Sequence, residues 1–194
     1  MALNEKVSEF SVGSTGISGL MVISAQRVAE PRGEVRELYR LSRYADQVPG
    51  VSVSWNQINL TATKQGAVRG LHGEDMQKLV TVASGRAFGV YVDVRQDSPT
   101  RGAVETVELV PGIQVLVPRG VCNGFQATAP GITEYLYFFD REWMPGMSGV
   151  ALNPLDSELA LDWPIPIDPA DPSQISIKDA SAPSLRDVLT AHNL

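Results

Sequence analysis

Three short stretches carry the residue types that proton-transfer chemistry needs. "GAVRGLH" over 66–72 sets Arg69 and His72 between glycines, with Lys78 a little further on. "TEYLYFFDREW" over 133–143 holds Tyr135 and Tyr137, and "ISIKDASAPSL" over 175–185 holds Lys178 and Asp179. An imidazole close to two cations can act as a base beside a place for an anion or a developing negative charge. A tyrosine on the inner face of a strand needs a hydrogen-bond partner, and next to a ligand cavity it can serve as an acid. A carboxylate bonded to the imidazole would fix its tautomer and raise its basicity. Each group also has a plainer reading: His72 as a polar residue at a strand end, the tyrosines as core, Asp179 as a solvated turn residue. The residues alone leave both readings open.

What is scarce narrows the chemistry. The chain has two histidines and one cysteine in 194 residues, which argues against a zinc or iron site. The histidines are His72 and His192, the latter in the carboxy-terminal tail. No GxGxxG, P-loop, CxxC or HExxH pattern occurs, and the clustered histidines of a metal-binding cupin are absent. A jelly-roll fold would therefore imply chemistry without metal. A single cysteine, Cys122, rules out an intrachain disulfide, fits a reducing cytoplasm and reads as a small buried apolar residue.

With 43% apolar and 20% charged residues, the composition is that of a globular chain. A formal net charge of −6 gives no support for broad binding to nucleic acid or an anionic membrane. No apolar run approaches the ~20 residues of a membrane span. The first residues lack the basic-then-apolar form of a signal peptide. The expectation is a soluble cytoplasmic protein.

The elements that must position these residues read as strands. "GLMVISAQRV" (19–28) and "VSVSWNQINLTAT" (51–63) are two; "KLVTVASGRAFGVYVDVR" (78–95) reads as a hairpin turning at Ser84-Gly85. "AVETVEL", "IQVLVP" and "TEYLYFF" follow, with Pro/Gly turn signals between them. One strand ends near Val68 and Lys78 opens the next. Short helices are predicted around 40–47, around Pro154–Leu159 and over 184–193, the last with Ser184 as N-cap. Such spacing argues a β-sandwich or barrel. Residues 1–18 read as a loose leading segment and 19–194 as one domain. Its proline-rich end past 150 is an arm laid over the sandwich, because Leu159, Leu161 and Trp163 need burial.

Six motifs in order resemble the dTDP-4-dehydrorhamnose 3,5-epimerase family of RmlC-like cupins. They are "EPRGEVREL", "NQINLTATKQGAVRGLH", "QKLVTVASGRAFGVYVDVRQDSPTRG", "VLVPRGVCNGF", "YLYFFDREWMPG" and "LALDWP" with "ISIKDASAP". The resemblance implies a mainly β, double-stranded β-helix or jelly-roll fold with short peripheral helices. It implies a cofactor-independent epimerase of a nucleotide-linked, dTDP-type 4-keto-6-deoxy sugar. His72 would be the base, Asp179 its orienting carboxylate, Tyr137 the acid and Lys78 the stabiliser of the enolate. Arg32, Glu37, Gln57, Asn59, Arg69, Asn123, Trp143 and Lys178 would bind the nucleotide sugar, and the protein would be a homodimer paired through its amino-terminal strands. Three departures stand out: a short His72–Lys78 segment, Asn123 where the family has a second histidine, and Glu34, Val35 and Arg36 in place of aromatic or apolar residues. They leave room for a mono-epimerase, a ketoisomerase or a non-catalytic sugar-binding cupin.

Overall fold

A computed structural model describes residues 6–52 and 54–191 of the chain, so His192 lies outside the described residues. Two antiparallel sheets face each other across a shared core. The six-stranded sheet runs β2 (Ser11–Ser14), β3 (Met21–Ser24), β11 (Ile113–Val117), β8 (Lys78–Ser84), β13 (Ile132–Phe139), β6 (Gln57–Lys64). The five-stranded sheet runs β10 (Val104–Leu109), β9 (Ala87–Asp93), β12 (Val121–Ala127), β7 (Val68–Glu74), β14 (Gly149–Ala151). A third, three-stranded sheet joins β1 (Lys6–Ser8), β4 (Arg27–Glu30) and β5 (Gly33–Arg36). The architecture is a jelly roll with few short helices.

Three apolar layers explain why most strands lack clean alternation. Val80, Val82, Tyr91, Val115, Phe125 and Tyr135 fill the space between the sheets. Leu71, Val90, Val92 and Cys122 face the other way, under a carboxy-terminal arm that brings Leu159, Leu185 and Val188 with partly buried Leu161 and Trp163. Leu79, Leu116 and Phe138 face outward beneath Tyr44, Val48 and Trp55. A strand covered on both faces reads as a continuous apolar run, and β12 is buried at every residue.

The strand pairings overturn the hairpin at Ser84-Gly85. β8 pairs with β11 and β13, whereas β9 pairs with β10 and β12, so the turn crosses from one sheet to the other. The run over 19–28 likewise divides into β3 and β4, which belong to different sheets. The run over 51–63 becomes a strand only at Gln57. Before it, the Ser52 N–H donates to Gln77 Oε1 and the Asn56 N–H to the Phe139 carbonyl. Residues 6–8 and 11–14, within the leading segment read as loose, pair with β4 and β3. Helices form over Leu41–Gln47 (α1) and Leu185–Thr190 (α3), and the expected helix near 154–159 is one 3-10 turn at Ser157–Leu159. Ser184 and Asp187 cap α3 reciprocally, as the Ser184 reading anticipated. A four-residue helix over Ile177–Ala180 (α2) was not foreseen.

Candidate active site

The strand expected to end near Val68 begins there instead, and β7 carries Arg69 and His72 in its interior. Its pairing with β12 is irregular. Asn123 stands opposite His72 and Phe125 opposite Arg69, so three steps along β7 match two along β12. This is a bulge, with one extra residue on the β7 side. In a regular strand, residues three apart point to opposite faces; the extra residue brings Arg69 back to the face shared by His72 and Glu74. Glycine makes it possible. Gly70 has φ +110°, and a Cβ there would sit 2.7 Å from the Gly124 Cα. A Cβ on Gly124 would sit 2.5 Å from the Arg69 carbonyl oxygen.

The result is a cavity of about 650 Å³ between the sheets, walled on one side by residues 172–179. His72, Arg69, Glu74 and Asn123 line it from the five-stranded sheet, and Lys78, Asn59 and Tyr137 from the six-stranded one. Base and acid candidates thus stand on opposite sheets.

Asp179 reaches His72 from α2, its Oδ1 2.7 Å from Nε2. A carboxylate only accepts, so in the neutral imidazole the proton sits on Nε2 and the lone pair on Nδ1. Burial works to raise the Asp179 carboxyl, but bonds from His72, Ser176 and the Gly70 N–H outweigh it and hold the group below the usual carboxylate range. Ser176 also caps α2, its Oγ accepting from the Asp179 N–H at 3.1 Å. One serine therefore fixes both the helix and its carboxylate.

Lys78 is 4% exposed. Its Nζ donates to Asn123 Oδ1 at 2.7 Å and to the His72 carbonyl at 3.2 Å, and it ion-pairs with Glu74. Asn123, which replaces an expected histidine, thus accepts from the lysine. Arg69 Nε donates to Thr63 Oγ1 at 2.9 Å. Tyr137 sits in a row of rings: Phe125 stacks on Tyr135 at 3.9 Å, and Tyr135 meets Tyr137 at 4.7 Å. Burial pushes the Tyr137 phenol up to about 12, with Thr61 and Arg69 pulling against it and Glu74 adding to it. It stays protonated, as an acid must, throughout the neutral range.

The structure therefore gathers His72, Tyr137, Asp179, Lys78, Asn59, Arg69, Asn123 and Lys178 around one cavity. Four residues expected to bind nucleotide lie outside its lining. Arg32 pairs with Glu30 at 2.7 Å, Glu37 pairs with Arg43 at 2.9 Å, Gln57 accepts from the Trp143 N–H at 2.7 Å, and Trp143 is 53% exposed. Glu74, Thr63, Lys64 and the Ser173–Ser176 wall also line the cavity and were missed. Glu74 could have been found, since it lies two residues past His72 and four before Lys78. Cys122 is buried and its thiol is pushed up to about 12 by desolvation, which suits packing rather than attack. Among the described residues no cluster of three metal-ligating side chains occurs, and no helix is long and apolar enough to cross a membrane.

A jelly roll whose cavity gathers an imidazole–carboxylate pair, a buried lysine and a protonated tyrosine defines a class: cupins with side chains suited to proton transfer. The comparisons with known proteins give the family. A sequence profile described as dTDP-4-dehydrorhamnose 3,5-epimerase matches residues 14–187. The dTDP-4-dehydrorhamnose 3-epimerase of Streptomyces niveus is 35% identical over 77% of this chain and 73% of its own. The 3,5-epimerase of Salmonella typhimurium is 32% identical over 90% and 95%. NovW, a 4-keto-6-deoxy sugar epimerase of Streptomyces spheroides, superposes with a TM-score of 0.83 at 30% identity, covering 96% of this chain and 93% of its own. The Legionella pneumophila enzyme in complex with dTDP-4-keto-L-rhamnose does so at 0.82 and 28%, covering 96% and 100%. The chain belongs to the dTDP-4-dehydrorhamnose 3,5-epimerase family. It is an epimerase, an isomerase by class.

Proposed function

We propose that the protein inverts a carbon next to the 4-keto group of a dTDP-linked 4-keto-6-deoxy sugar, in deoxysugar biosynthesis. His72 Nδ1 takes the α-proton while Asp179 holds the ring, and the enolate oxygen is met by Lys78. A preorganised charge of this kind is what makes such a proton removable. Tyr137 returns a proton from the facing sheet, and protonation on the face opposite to removal is inversion. Arg69, Lys178 and Asn59 would hold the nucleotide sugar. Arg32, Glu37, Gln57 and Trp143 would serve a ligand that extends past the mouth, or the cavity of a second protomer in a homodimer paired through the amino-terminal strands. The reading places the protein in the cytoplasm and needs no cofactor.

The observation that carries this reading is the 2.7 Å His72–Asp179 pair on one wall with Tyr137 on the other. The test is incubation with dTDP-4-keto-6-deoxyglucose in deuterated water, read by NMR. Deuterium is expected at C3, at C5 or at both; none at either position sinks the assignment. Tyr137→Phe should keep deuterium wash-in by His72 and lose net inversion. Inversion at C3 alone has specific support in Asn123 and in the 35% identical 3-epimerase, and deuterium confined to C3 would select it. Light scattering that finds a monomer at micromolar concentration would remove the dimer.

A further inference from the structure

The Lys78 end of the cavity holds a carboxylate that the reaction above does not use. Glu74 shares the cavity face of β7 with His72, and its side chain is 20% exposed. Lys78 is its ion-pair partner, and among the described residues its carboxylate makes no other ion pair. The Lys78 ammonium has three N–H donors, and three acceptors surround it: Glu74, Asn123 Oδ1 and the His72 carbonyl. The lysine is held in place and its charge offset, and a sugar carbonyl reaches it by taking the place of one of these acceptors.

The other end is different. Arg69 bonds the neutral Thr63 hydroxyl, and Lys64 follows Thr63 in the chain. Among the described residues neither Arg69 nor Lys64 has a carboxylate within ion-pair distance, though both line the cavity. Lys78 pairs with Phe139 and Thr63 with Thr133, so the backbones of Lys78 and Thr63 stand roughly 20 Å apart along β13. Tyr137 lies between, with Arg69 lowering and Glu74 raising its pKa. The cavity is thus neutralised at one end and cationic at the other, and an anion follows that field.

We infer that Glu74 is a specificity-determining residue that orients the substrate: by screening Lys78, it sends the anionic diphosphate to the Arg69 end and reserves Lys78 for the sugar carbonyl. This rests on the nucleotide-sugar reading. Without Glu74, Lys78 becomes a second diphosphate site and the ligand can enter in reverse.

The test is calorimetric titration of inorganic pyrophosphate and of dTDP into the wild type, Glu74→Gln, Lys78→Gln and the double variant, with thermal melts to check folding. Glu74→Gln should bind pyrophosphate about fivefold tighter, and the double variant should lose that gain. Unchanged affinity in a folded Glu74→Gln, or a gain that persists without Lys78, overturns the inference. Should Glu74→Gln fail to fold, the Lys78→Gln pair decides. Its bare carboxylate should make pyrophosphate binding weaker than in the double variant, and equal affinities overturn the inference. A wild type that binds neither ligand removes the nucleotide-sugar reading itself. A wild type that binds both, beside an unchanged Glu74→Gln, removes the Glu74 role alone.

Discussion

Two buried carboxylates, Asp93 at the end of β9 and Asp179 on α2, solve the same physical problem with different outcomes. Asp93 is 0% exposed and Asp179 6%. Burial alone would raise both, and hydrogen bonds bring both down. Asp93 is met by Arg95 Nε at 2.8 Å, Arg95 Nη2 at 2.8 Å, the Ser98 hydroxyl at 2.5 Å and Thr100 Oγ1 at 2.6 Å. Those partners come from the loop that follows β9, and one is a permanent cation, so the cluster is closed on itself. Asp179 is met by an imidazole that lines the cavity and has a second nitrogen to spare. A saturated buried carboxylate holds a loop; one whose partner keeps a free basic atom makes a site.

Substitutions can break that contrast. The largest effect is expected from His72→Ala, which should slow substrate deuterium exchange about a thousandfold with little change in thermal midpoint. Asp179→Asn comes next. An amide in place of the carboxylate no longer forces the proton onto Nε2, so exchange should fall about a hundredfold, again in a folded protein. Asp93→Asn should do the reverse, keeping exchange in the cold and losing about 3 kcal/mol in denaturant unfolding, because Arg95 loses its charged partner. An Asp93→Asn protein with wild-type stability, or an Asp179→Asn protein with wild-type turnover, would erase the distinction.

The smallest effect is a pH dependence. Asp93 titrates near 2 when folded against 3.8 for the unstrained group. A depressed folded value means stability that is present above the unfolded pKa and lost as pH falls through the folded one. Between about pH 4 and pH 2 the wild type should lose about 2 kcal/mol from this group. Asp93→Asn should be flatter over the same window by acid titration of the melting point.

The contrast also shows what could be read from residues alone. The Asp93 cluster is local, its partners within seven positions, and it coincides with one of the six ordered motifs. The His72–Asp179 bond spans 107 positions, so the two could be matched only through resemblance. The hairpin reading of 78–95 failed because local turn chemistry cannot say which sheet a strand joins. β7 was cut short because its glycines look like a turn, and only the facing Gly124 reveals that they make room for a close strand. Tyr135 and Tyr137 were rightly placed on one face, since period-two alternation survives even in a strand covered on both sides.

The bulge in β7 means that the site is written in chain length as well as in residue identity. The strand behaves like a reading frame. Lengthening β12 by one residue opposite Gly70 would absorb the extra residue, leave Arg69 and His72 three regular steps apart, and turn Arg69 out of the cavity and its neighbour in. Removing Gly70 as well would set Arg69 two steps from His72 and return it to the cavity face. Such a paired indel, with no change in any chemical group, would switch the arginine out of the site and back again.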